Sequence, residues 1–195
     1  MDTWVIVVLA VAALVIVGLA VLLVQQRKSA QLAQRFGPEY ERVVSTRESK
    51  RAAEAELERR EQRVEALQIR PLEGPEQQRF ATAWRQVQAR FVDDPAGAVG
   101  QADELVGQVM QARGYPVGDF EQRAADLSVD HPVVIDNYRA AHAIALRNRS
   151  GGANTEDLRQ AMVHYRALFE ELLETPVVPD GRLRQASDRQ QEVQA

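Results

Sequence analysis

The chain has 195 residues, a formal net charge of -4 and no cysteine. A mildly acidic balance excludes the basic field that a bulk nucleic-acid partner requires. The missing cysteines exclude disulfides, a thiol nucleophile and thiolate metal sites.

The first element is an apolar run from Trp4 to Val24, 21 residues without a charge. As a helix it would extend about 30 Å, the thickness of a bilayer's hydrocarbon core. A secretory signal needs a basic leader, a shorter apolar core and a small-residue cleavage site. Here the leader is Met1-Asp2-Thr3, the run ends in Leu22-Leu23-Val24, and Ala10-Val11-Ala12 lies mid-run. The expectation is a retained anchor (residues 1–24 with the short tail), its lipid partner contacted through Trp4 to Val24. Arg27, Lys28 and Arg35 follow the run and Asp2 precedes it. Basic residues favour the cytoplasmic side, so the N-terminus is expected outside and the remainder in the cytoplasm, with export of the domain as the alternative.

Residues 25–70 read as a juxtamembrane and charged helical stalk. Gln25 to Phe36 prolongs the first helix and Gly37-Pro38 interrupts it. Glu39 to Arg70 carries eight acidic and eight basic residues in a helix-favouring background, with Glu56 and Arg60 paired at i,i+4. A heptad seam runs through Val43, Lys50, Leu57 and Val64 and through Thr46, Ala53, Arg60 and Leu67. Lys50, Thr46 and Arg60 spoil it, which favours a solvated stalk over a self-associating coiled coil and leaves self-association through the stalk open.

Pro71 to Pro75 reads as a hinge before a helical bundle at residues 71–175. Phe80, Trp84, Val87 and Phe91 form one amphipathic stripe. Asp94 and Pro95 open the next helix, which carries Val99, Ala102, Val106, Val109 and Met110 inward and ends at Gly114. Asp119 caps a short helix from Phe120 to about Leu127, and Asp130 or Ser128 is expected to cap a long one opened by Pro132. That helix turns Val134, Tyr138, Ala141 and Ala145 inward. The last helix, capped by Asn154 or Thr155, has the stripe Leu158, Met162, Tyr165, Leu168, Phe169 and Leu172, and Thr175-Pro176 closes it. Residues 176–195 are polar and aperiodic and read as a disordered tail. No segment outside the apolar run alternates at period two, so the fold class is all-α: a transmembrane helix, a charged stalk and a small antiparallel bundle.

Arg35-Phe36-Gly37-Pro38-Glu39-Tyr40, Arg90-Phe91-Val92-Asp93-Asp94-Pro95, Gly114-Tyr115-Pro116-Val117 and Ala161-Met162-Val163-His164-Tyr165-Arg166 resemble an uncharacterised family of bacterial membrane-anchored proteins. The likeness extends from the apolar run to about Glu174. It implies a class, single-pass helical proteins of the bacterial cytoplasmic membrane, and no activity. Only Lys28 and Lys50 among 24 basic residues are lysine, a bias that suits a GC-rich bacterial genome.

The densest ionisable cluster is Asp119, Glu121, Arg123, Asp126, Asp130 and His131. A carboxylate beside a histidine suits acid–base chemistry. The same residues equally suit helix caps, with Arg123 paired to a neighbouring acid. Tyr115, Pro116, Asp119, Phe120, Asp126, Asp130 and His131 are the candidate interaction surface, in which Tyr115, Pro116 and Phe120 make a rigid elbow that docks a partner. His131 and His142, eleven residues apart, read as three turns of one helix, about 16 Å. With His164 elsewhere, no metal-ligand spacing results, and no metal or cofactor is expected. Gly97, Gly100 and Gly107 read as close-packing positions on a helix. The expected function is a non-enzymatic, membrane-tethered interaction or scaffold domain with a protein partner and no nucleic acid. The alternative is a small-ligand-binding or enzymatic bundle with a pocket near Tyr115 to His131.

Overall fold

The computed structural model describes residues 3–174, except the side chains of 3, 5–11, 21 and 174. The expected tail at 176–195 and the Thr175-Pro176 stop lie outside the described residues. Among those described, the chain is all-helical, with no strand and eight α-helices: α1 (Thr3–Phe36), α2 (Pro38–Thr46), α3 (Lys50–Glu65), α4 (Gly74–Arg90), α5 (Pro95–Ala112), α6 (Phe120–Asp130), α7 (Ile135–Arg149) and α8 (Thr155–Glu174). They divide into two compact units, Met1–Glu58 and Arg59–Ala195.

In the first unit, α1 continues unbroken through its apolar half into a polar end, and one helix is long and apolar enough to cross a membrane. Its described side chains from Ala12 to Lys28 are all exposed, Leu14 at 72% and Val24 at 64% among them. Past this point the helix becomes amphipathic, and Leu32 and Phe36 are buried, as are Tyr40 and Val43 on α2. The Glu54 carboxylate on α3 gathers the unit together. It accepts the Ser29 hydroxyl at 2.6 Å and the Tyr40 hydroxyl at 2.8 Å, with the Lys50 ammonium at 3.8 Å. Lys28 pairs with Glu58 at 2.7 Å, and Arg47 with Glu56.

The stretch from Glu39 to Arg70 is therefore not one helix. The Ser45 and Thr46 hydroxyls turn back onto the Arg42 and Val43 carbonyls, competing with the helix ladder, and Arg47 is extended. Ser49 restarts the helix by accepting the Ala52 N–H. Nor does the bundle wait for Pro71. Its unit begins inside α3, where Arg60 and Arg63 reach Ser128 and Asp126 on α6 and Val64 is buried.

The second unit holds a single core built from the expected stripes. Phe80, Trp84 and Val87 of α4 meet Val99, Val106 and Met110 of α5 and Leu158, Tyr165, Leu168 and Phe169 of α8, with Ile135, Tyr138 and Ala141 of α7. Trp84 stacks on Phe169 at 4.8 Å. Chain direction follows from paired contacts. Gln77 meets Leu173 while Trp84 meets Phe169, so α4 and α8 are antiparallel. Asn137 meets His164 while Arg147 meets Asp157, so α7 and α8 are antiparallel too. Asp103 meets Tyr165 while Arg113 meets Leu172, which makes α5 and α8 parallel.

Local signals explain most helix starts. Glu73 and Glu76 form a reciprocal capping box at α4, with Pro75 in its first turn. Asn154 and Asp157 do the same at α8. Asp119 accepts the Gln122 N–H at 2.8 Å, and Asp94 accepts the Gly97 N–H at 2.9 Å while Arg90 holds its other oxygen. A Cβ on Gly97 would fall 2.1 Å from that carboxylate, so this glycine serves the cap and not helix packing. Gly100 has nothing near it, and Gly107 faces the Arg123 guanidinium. Asp94→Ala is expected to lower the denaturant midpoint, because the Gly97 N–H loses its cap. An unchanged midpoint would show that the cap contributes nothing.

Two expectations fail at α6 and α7. α6 runs on to Asp130, and α7 starts at Ile135 behind Val134, without a side-chain cap. Ser128 and Asp130 cannot cap it because both are engaged within the bundle, Ser128 with the Ala125 carbonyl and Asp130 with Tyr115. His131 consequently ends α6 while His142 sits on α7, so the two histidines are not on one helix.

Candidate functional site

Two polar junctions are embedded in the second unit. At the first, the C-terminal ends of α5 at Ala112 and α6 at Asp130 meet the last described turn of α8. The ends of α5 and α6 bring the negative ends of their helix dipoles. The buried guanidinium of Arg113 answers them, donating to the Leu172 carbonyl at 2.9 Å. Burial pushes that guanidinium below its usual range, while Tyr115, Asp130 and Glu171 act in the opposite sense. The Tyr115 hydroxyl donates to Asp130 at 2.8 Å, and burial with that carboxylate drives its pKa well up. His131 Nδ1 lies 3.1 Å from Glu171. Gly114 makes the junction possible. Its φ is +98°, and a Cβ there would stand 2.4 Å from the Gln68 carbonyl.

The second junction centres on Asp103, midway along α5 and nearly buried. One carboxylate oxygen accepts the Tyr165 hydroxyl of α8 at 2.9 Å and lies 3.7 Å from His142 Nδ1 of α7. The other accepts Arg149 of α7 at 3.2 Å. The Phe120 ring of α6 lies flat on the His142 imidazole, centroids 3.7 Å apart and planes 5° from parallel, and meets Tyr138 at 4.9 Å. Arg123 of α6 stands over the Tyr138 ring at 6.0 Å rather than pairing with a neighbouring acid. Burial pushes both tyrosine hydroxyls upward, so they stay protonated at physiological pH. Burial pushes His142 down, against the pull of Asp103 and with the help of Arg149 and Arg123. Chemically, the junction holds a neutral imidazole beside a carboxylate, and burial displaces the imidazole's proton uptake to lower pH than usual.

The seven residues expected to form one surface are scattered. Pro116 and Asp119 are exposed and Phe120 is half-buried under its stack. Tyr115, Asp126, Asp130 and His131 are buried and offer a partner no surface. Asp126 is held by Arg63 at 2.7 Å and by the Gln122 amide. Among the described residues no three His, Asp or Glu side chains converge in a metal-binding group. The open grooves described run instead along α4, one of about 420 Å³ between Phe80 and Leu105, the other of about 520 Å³ between Pro75 and Gln86.

Sequence reading passed over Asp103 and Arg113. The signal was present: Asp103 falls at i+4 from Val99 and Arg113 at i+4 from Val109, both on the apolar stripe. A charge on such a stripe announces a buried network. Set against family models, curated proteins and solved structures, the chain matches none.

Proposed function

We propose that the chain is a non-enzymatic, single-pass protein of the bacterial cytoplasmic membrane that holds a helical protein-binding domain at the cytoplasmic face. The observation that carries this reading is the uncovered α1. Its described side chains from Ala12 to Val24 are all exposed, and an apolar helix bare on every described face needs lipid around it. Arg27, Lys28 and Arg35 beyond the apolar run support the inward orientation. The engagement of Asp126 and Asp130 inside the bundle supports a structural part for them over a catalytic one.

The test joins retention to orientation. The protein is expected to stay in membranes through an alkaline carbonate wash with its N-terminus intact, and Val15→Arg with Leu19→Arg is expected to release it. Each arginine adds about 2.5–3.5 kcal/mol to insertion at the helix centre. A C-terminal fluorescent fusion should be active and a C-terminal phosphatase fusion silent. Loss of the first 24 residues in the mature protein would identify a cleaved leader instead. A crosslinked capture that returns no protein partner would remove the binding half of the reading.

A further inference from the structure

We propose that His142, held between Phe120 and Asp103, is a pH-operated latch that keeps the start of α6 on the bundle near neutrality and frees it in acid. The two halves of α6 are fastened differently. Its later half is tied by polar pairs, Asp126 to Arg63 and Asp130 to Tyr115. Its first turns rest on aromatic faces, Phe120 against His142 and Tyr138, with Arg123 over Tyr138. The stack on His142 is close and nearly parallel, so its overlap depends on where the imidazole stands.

The groups around that imidazole decide what a proton does. Asp103 comes from α5, Arg123 from α6, Arg149 and Tyr138 from α7, and Tyr165 from α8. Asp103 attracts an imidazolium, and the two guanidiniums repel it. The attraction is incomplete at 3.7 Å, and both carboxylate oxygens already accept from Tyr165 and Arg149. To gain a full hydrogen bond the charged ring must move toward Asp103, off the face of Phe120. Remaining in place leaves a largely buried cation that Arg149 and Arg123 both repel. Burial accordingly holds His142 below its usual value. A lowered histidine means that the stacked state binds fewer protons than the released one. The stack is therefore at full strength above about pH 6.5 and weakens as pH falls below that value.

The experiment is hydrogen exchange on the full chain in lipid nanodiscs between pH 7.5 and 5, corrected for intrinsic rates. Amides of 120–125 are expected to open more readily below pH 6.5, by at most tenfold per pH unit for one proton, while those of the α8 core stay constant. His142→Phe keeps an uncharged ring on Phe120 and is expected to abolish the dependence. Imidazole NMR on the unaltered chain gives a readout that needs no variant: the His142 titration should lie below about pH 6.5, with α6 opening more as pH falls from about 6.5 toward that titration. A flat profile, an equally pH-dependent His142→Phe chain or a His142 titration at or above about pH 6.5 would overturn the latch.

Discussion

Arg113→Ala is expected to destabilise the second unit by about 3–5 kcal/mol, a large share of the roughly 5–15 kcal/mol that holds a domain folded. The guanidinium is fully buried where the ends of α5 and α6 meet the last described turn of α8, and it is bonded to the Leu172 carbonyl. Its removal strands that carbonyl and leaves Asp130 and Glu171 without the buried cation that faces them. Arg113→Met separates charge from shape, since it fills most of the volume without a donor. Chemical denaturation of the three proteins decides the matter: the methionine variant should lose nearly as much as the alanine variant. Wild-type stability in Arg113→Met would mean that packing, not charge, is what Arg113 supplies.

Asp103→Ala is expected to lower stability by about 2–3 kcal/mol, mostly through the orphaned Tyr165 hydroxyl. Tyr165 is fully buried, so its O–H has no water to turn to. The Arg149 bond contributes little, because that side chain is 60% exposed. Replacing both partners should be gentler than the sum: Asp103→Leu with Tyr165→Phe removes donor and acceptor together. A double-mutant cycle measures the coupling, and strictly additive losses would refute a shared hydrogen bond. Losing Asp103 also removes the only attraction that raises the His142 pKa. The NMR titration of His142 should then shift to still lower pH, while the acid-induced loss of stability still begins near about pH 6.5 and extends further down.

Helix content and the buried stripes were legible because both rest on short-range spacing. Phe80, Trp84 and Val87, or Leu158, Met162 and Tyr165, can face a core only in the arrangement a helix gives them. Asp94, Asp119 and Asn154 were legible as caps for the same reason, since a cap reaches only three residues ahead. Asp130 looked like another cap by that local rule and was not, because Tyr115, distant along the chain, claims its carboxylate. Gly97 looked like a packing position, yet it clears room for its own cap. The seven residues of the candidate surface are divided between solvent and core, because proximity in sequence does not decide which side of a helix or turn meets solvent.

What the sequence determined by itself was the apolar run of the first helix, the helical class and the inward stripe of each bundle helix. All three depend on residue type and on neighbours within a turn or two. What the tertiary structure alone decided was the partner of each buried charge: Arg113 with the end of α8, Asp103 with Tyr165 and His142, Asp126 with Arg63. Those partners lie 59, 62, 39 and 63 residues apart along the chain. Periodicity puts a charge on a face. Which opposing charge it finds depends on how the helices cross, and that is set by packing over the whole core.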